Sequence, residues 1–250
     1  MMSEISRLRF LKLLLTGAFV APGMAALGGG LHDLRGDRVG WARLKTPNQW
    51  WKRHADGDPV LMKFFRDETT LNIDPVWYAA EVGNLAEMRQ YPFLFSQGVG
   101  MVSDPASRSQ LAEYLRRGGF LLIDACHAPN VTPDFDEFLR QQNEFFAATL
   151  PEARIEPLPA THDIYLCRFE IPDGRPPHTF NGNVFNPSKA RHGLYGLMIG
   201  ARMAGVISVC GWQCGWDHVT EHRSTSPPGT DVACMRMLVN VYIFAMMQGG

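Results

Sequence analysis

No charge excess marks this 250-residue chain: 24 Lys and Arg stand against 25 Asp and Glu, a net charge of −1. That balance supplies no global drive toward nucleic acid or an anionic membrane surface. Cysteine is sparse, five residues in all (Cys126, Cys167, Cys210, Cys214, Cys234), and they form no zinc-type pattern. Cys210 and Cys214 are separated by three residues and no second pair follows. Read singly, they are small apolar residues, with room for one disulfide and at least one free thiol if the chain is exported. Internal repeats, coiled-coil heptads and inter-domain linkers are absent too, which points to one domain at this length. No cofactor is expected.

Apolar residues are plentiful, at 46% of the chain, with 15 Phe and 6 Trp. That is ample for a sizeable core and excludes a disordered chain. Residues 1–30 stand apart. Arg7, Arg9 and Lys12 form a basic start, Leu11 to Ala21 an apolar run, and Gly23-Met24-Ala25 a small-residue site. This is the layout of an export signal, and the apolar run is shorter than a typical membrane span. Ser6 to Lys12 (SRLRFLK) resembles a twin-arginine motif with Leu8 at the second arginine position, so both export routes stay open, as does an uncleaved anchor. The expectation is an exported, periplasmic or envelope-associated protein, with residues 31–250 as its single domain. Contact with the membrane would run only through an uncleaved N-terminal segment.

The clearest stretch is Tyr91–His127. Tyr91 to Ser96 is a short apolar run, broken by Gly98 and Gly100. Ser103-Asp104-Pro105 is a helix start, Leu111, Tyr114 and Leu115 recur at helical spacing, and Gly118-Gly119 ends the helix. Phe120 to Ile123 then reads as a fully buried strand. The result is a βαβ unit with parallel strands, whose carboxyl-end tips, where such sheets gather their functional groups, carry Ser96-Gln97-Gly98 and Asp124-Ala125-Cys126-His127. Around it, Gly40–Leu44 reads as a strand, Pro59–Thr69 as a helix and Asn72–Val82 as a stretch containing a strand. A helix is expected through Phe135–Phe146 and a strand at Ile155–Leu158. Extended chain follows over His162–Glu170. Gly193–Met198 and Met203–Val209 read as paired strands, and Asp231–Met247 as a closing helix. Residues 172–192 and Gly211–Gly229 read as long loops.

Three constellations could carry chemistry. At the second tip, Asp124, Cys126 and His127 suggest a thiol hydrolase; a thiolate needs a cation or base beside it, and alternation points Asp124 and Cys126 the same way. The plainer reading makes Asp124 a cap accepting backbone N–H bonds and Cys126 a packing residue. Asp217, His218 and His222 are weak metal candidates, since carboxylate and imidazole suit a divalent ion. Finally, Trp50, Trp51, Trp212 and Trp216 follow strands that should end on one edge, near Ser96, Gln97, Gly98 and Asp217. Aromatic faces beside amides and acids suit a small polar ligand such as a sugar, and equally suit the lid of a core.

The order of landmarks YPFLF with two glycines, RRGGFLLIDAC, EPLPATHDIY and GVISVCGWQCGWD, closed by an apolar helix, resembles the bacterial domain-of-unknown-function 4159 family over roughly residues 41–247. The resemblance implies a class I glutamine amidotransferase-like, flavodoxin-like three-layer α/β fold, with a central mostly parallel sheet and helices on both faces. It also implies export, because family members are commonly exported or close the end of membrane proteins. No reaction comes with it. The elbow of a class I amidotransferase needs a cysteine, and Ser96-Gln97-Gly98-Val99-Gly100 has none. A non-enzymatic module binding a glycan-like ligand or an envelope protein partner is therefore expected, with the Asp124/Cys126/His127 hydrolase as the alternative.

Overall fold

In the computed structural model, which describes residues 38–126, 135–177, 193–216 and 229–248, the short apolar runs become strands and the amphipathic stretches between them become helices. The strands are β1 (Val39–Lys45), β2 (Ile73–Glu81), β3 (Phe93–Ser96), β4 (Phe120–Asp124), β5 (Ala153–Pro157), β6 (Leu194–Ile199) and β7 (Arg202–Ser208). They form one sheet in the order β2-β1-β3-β4-β7-β6-β5. Every pairing from β2 across to β7 is parallel. Only β6 runs against its neighbours, because a tight turn through Gly200 folds it directly onto β7.

The helices are α1 (Asp58–Glu68), α2 (Leu85–Met88), α3 (Pro105–Arg116), α4 (Phe135–Thr149), α5 (Trp212–Trp216) and α6 (Thr230–Gln248). Local chemistry sets their ends. Asp104 accepts the backbone N–H of Ser107 at 2.8 Å and its hydroxyl at 2.7 Å, and Pro105 follows, so α3 starts where its first turn is satisfied. α3 stops at Gly118, whose φ of +97° suits glycine.

Side-chain alternation divides the sheet into two buried faces. Trp41, Phe93, Phe95, Phe120, Leu122 and Val206 face α1, α5 and α6. Ala42, Leu44, Leu94, Leu121, Ile123 and Ile207 face α2, α3 and α4. The fold is thus a three-layer α/β domain of flavodoxin-like type. Helix α6 is apolar almost all round and long enough by composition to cross a membrane, but here it is the buried core helix of one face. Tyr242 on it donates to the Gly40 carbonyl at 3.0 Å.

Strand β7 lies so close to β4 that a Cβ on Gly205 would sit 2.4 Å from the Leu121 carbonyl oxygen. Moreover β4, ending at residue 124, pairs with a strand that begins at residue 202.

Two sequence expectations give way. His162–Glu170 is not extended: it holds a 3-10 turn at Asp163–Tyr165, because His162 Nδ1 accepts the Ile164 N–H at 3.1 Å and closes the chain on itself. Within the supposed loop Gly211–Gly229, residues 212–216 form α5.

Candidate functional site

The carboxyl ends of β1 and β3 open into a cleft of about 590 Å³, completed by the first half of α3 and one face of α4. Thr46, Asn48, Trp50 and Trp51 form one wall; Gln97, Gly98, Gly100 and Met101 lie along the β3 tip; Arg108, Phe138, Gln141, Gln142, Glu144 and Phe145 close the far side. Trp50 and Trp51 are half-buried. The Trp51 ring has the ammonium groups of Lys45 and Lys52 within 5.6 and 5.1 Å of its centre. The turn after β3 needs glycine: Gly98 has φ +143°, and a Cβ there would touch the Phe138 ring at 3.4 Å. Ser96 is buried and spends its hydroxyl on that turn, donating to the Gly98 carbonyl at 3.0 Å.

Gln97 is the polar centre of the cleft floor. Its amide nitrogen donates to Gln213 Oε1, and Gln213 Nε2 in turn donates to the Arg53 carbonyl. Gln97 Oε1 is buried and has no hydrogen-bond partner among the described residues. A buried carbonyl oxygen left without a donor costs about 1–3 kcal/mol.

The wall carrying Trp50 and Trp51 is held by an ion pair that the sequence does not advertise. Arg43 and Asp58 are both fully buried. Arg43 Nε and Nη2 donate to the two Asp58 oxygens, each at 2.6 Å. Arg43 Nη1 donates to the carbonyls of Trp51 and Arg53, both at 2.9 Å, and Nη2 reaches the His54 carbonyl at 3.3 Å. Asp58 also accepts the indole N–H groups of Trp41 at 3.1 Å and Trp216 at 3.3 Å. The guanidinium further lies over the Phe95 ring, 5.2 Å from its centre. One planar fork thus joins β1, residues 51–54, α1 and α5, which an ammonium could not do.

The second tip is built differently from the hydrolase expectation. Asp124 is fully buried and accepts the Gly211 N–H at 3.1 Å and the Gln213 N–H at 2.9 Å. Its carboxyl is raised to about 7, chiefly by burial, with the bonds from Gln213, Ser208 and Trp212 working in the opposite sense. Asp124 is therefore the group that turns Gly211–Gln213 into the start of α5. Cys126, 1% exposed, faces α5 as well and lies 3.9 Å, sulfur to sulfur, from Cys214. Neither Asp124 nor Cys126 lines the cleft. The histidine brought close to Cys126 is His54, whose ligand nitrogen lies within 4.8 Å of both sulfurs. None of the five cysteines is in a disulfide, and burial pushes the thiol of Cys210 up to about 12.

Of the residues singled out from sequence, Trp50, Trp51, Gln97 and Gly98 come together in the cleft. Trp212 and Trp216 do not join them. Both are fully buried in the core between the sheet and α6, because Asp124 pulls their segment into a helix over β1 and β3. The edge therefore carries a two-tryptophan cleft in place of the expected four. His127, Asp217, His218 and His222 lie outside the described residues. Arg43, Asp58 and His54 were missed by sequence reasoning, as was the far wall contributed by α4.

A family model described as a domain of unknown function, DUF4159, matches residues 41–246. Comparison with curated proteins gives no match.

Proposed function

The chain belongs to the DUF4159 family, a membership that carries fold and no reaction, and from that premise we propose that it is a non-enzymatic envelope module whose cleft binds a saccharide-like ligand. The observation that carries the reading is the composition of the cleft around Gln97. Two tryptophans and two phenylalanines supply apolar faces, while Asn48, Gln141, Glu144 and Arg108 supply donors and acceptors at the rim. A pyranose has the matching character, apolar on its C–H face and ringed by hydroxyls. A ligand hydroxyl could satisfy Gln97 Oε1 only once a side-chain shift uncovers it. The described residues around the cleft include no nucleophile paired with a base, which favours binding over turnover. Export, the expectation from residues 1–30, would put such a module among envelope glycans, and an envelope protein carrying the same chemistry is the competing occupant.

The test is a thermal-shift screen of mono- and oligosaccharides, with Trp50→Ala and Gln97→Leu as controls. A ligand at 100 times its Kd adds about 2.7 kcal/mol of native-state stability, or roughly 5–11 °C in Tm for a domain of this size. The rise should vanish in both variants. A screen without a saccharide hit, or a shift that survives both substitutions, overturns the reading.

A further inference from the structure

Behind the cleft, three soft ligands from distant parts of the chain meet: His54 after β1, Cys126 after β4 and Cys214 on α5. We propose that these three side chains form a zinc site with an open fourth position. The proposal is independent of the saccharide reading.

Geometry favours a metal over a disulfide. A tetrahedral ion with Zn–S bonds of about 2.3 Å holds its two sulfurs roughly 3.8 Å apart, and the Cys126 and Cys214 sulfurs are 3.9 Å apart. A disulfide would have to close that gap to about 2.05 Å. The ligand atoms of all three residues lie within 4.8 Å of one another, so small side-chain rotations bring the imidazole to bonding distance. Two thiolates and one imidazole are the donors that zinc selects over calcium or magnesium.

The surroundings are those of a prepared site. Cys126 is 1% and Cys214 3% exposed, while His54 is half-buried and leaves one side open. Two thiolates in so dry a place need a divalent cation to neutralise them. His54 adopts the left-handed conformation (φ 56°, ψ 23°) that non-glycine residues rarely take. Its carbonyl is held by Arg43 Nη2 and by the Gly57 N–H, each at 3.3 Å. Its Nε2 accepts from Arg53 Nε at 3.3 Å, at the long end of the hydrogen-bond range, so the imidazole has an acceptor nitrogen as a metal ligand must. Asp124, two residues before Cys126, fixes the helix that carries Cys214 through the Gln213 N–H. The amide relay from Gln97 ends on Gln213 and Arg53, the immediate neighbours of Cys214 and His54, so the support of the site is also the floor of the cleft.

The full chain, stripped of metal under reducing conditions, is titrated with Zn2+ against a chromophoric chelator and with Co2+ as a spectroscopic probe. One Zn2+ per chain is expected, with a thiolate-to-cobalt charge-transfer band and tetrahedral ligand-field bands. Zinc should also shield two thiols from alkylation, identified by mass spectrometry as Cys126 and Cys214. Cys126→Ser and Cys214→Ser should each weaken zinc by more than about 100-fold, beyond what loss of a supporting residue costs. His54→Asn, which tolerates the left-handed backbone, should weaken it about tenfold or more and shift the cobalt bands. Circular dichroism reports whether each variant folds, and the alkylation pattern of the unmutated chain needs no variant. Absence of the thiolate band, a band unchanged in Cys126→Ser, protection of other cysteines, or a Cys126–Cys214 disulfide in the chain purified without reductant would each overturn the proposal.

Discussion

Replacing Arg43 by methionine removes a buried cation and leaves its partner behind. Asp58 stays fully buried, now holding only the indole N–H groups of Trp41 and Trp216; the Trp51 carbonyl loses its bond from Arg43, while those of Arg53 and His54 fall back on Gln213 Nε2 and the Gly57 N–H. Breaking one side of a buried ion pair costs about 3–5 kcal/mol, because the remaining charge is desolvated and unpaired. Against a typical total of about 5–15 kcal/mol, that is roughly a fifth or more of the stability. At about 2–4 °C per kcal/mol for a domain of 150–250 residues, Tm should fall by roughly 6–20 °C. Urea unfolding followed by tryptophan fluorescence is the assay, with Trp41 and Trp216 reporting from beside the deleted group. The double variant Arg43→Met/Asp58→Leu completes a cycle. It should be clearly more stable than the sum of the two single changes predicts, since no charge is then stranded, though two indole N–H groups still lose their acceptor. A loss below about 1 kcal/mol in Arg43→Met, or strict additivity in the cycle, would refute the assignment of this pair as the clamp on residues 51–54.

Further outcomes follow from the same physics. Asp124→Leu strands the buried N–H groups of Gly211 and Gln213, at about 1–3 kcal/mol each, and should lower the urea midpoint while exposing Trp212 to acrylamide quenching. Gly205→Ala places a Cβ against the Leu121 carbonyl, which is backbone and cannot swing away; a cost of at least the roughly 1–3 kcal/mol of overpacking is expected in equilibrium unfolding. His162 is held below its ordinary value by burial, so the unfolded chain takes up its proton first as pH falls. Its contribution is therefore intact above about 6.5 and is lost as pH drops from there through the folded-state value. His162→Gln should flatten that loss when denaturant midpoints at pH 7.5 and 5.5 are compared.

How far the fold could be read from residues alone depended on where the forces were local. Strands such as Phe120–Asp124 and the β6–β7 pair announce themselves through runs of buried side chains between glycines, and α3 through Asp104-Pro105. Helix α5 could not be read, because Gly211-Trp212-Gln213-Cys214-Gly215-Trp216 has poor helix propensity and is helical only once Asp124, some 90 residues earlier, accepts its first N–H groups. The same long-range bond turned two supposed ligand-binding tryptophans into core. Arg43 was invisible for the opposite reason: in VGWARLK its charge argues for solvent, and only Asp58 with three inward-facing carbonyls makes a buried position tolerable. The cleft was half legible, since the strand-end rule found Trp50, Trp51, Gln97 and Gly98 but not the wall supplied by α4.

The pairing of β4 with β7 sets an order of events in time. Strand β4 is finished at residue 124, yet its neighbour begins at residue 202, and the intervening chain must be made and looped out first. Until then the Leu121–Asp124 edge is an open hydrogen-bonding template, apolar up to its last residue, the kind of surface that captures other chains. Non-local pairing of this sort also slows folding. Cys126 and Cys214 meet only when that edge is closed, because Cys214 rides on the helix immediately after β7. Metal uptake at His54, Cys126 and Cys214 would thus mark the moment when the last central strand has locked in, and a chain stalled before it would carry the thiols but not the site.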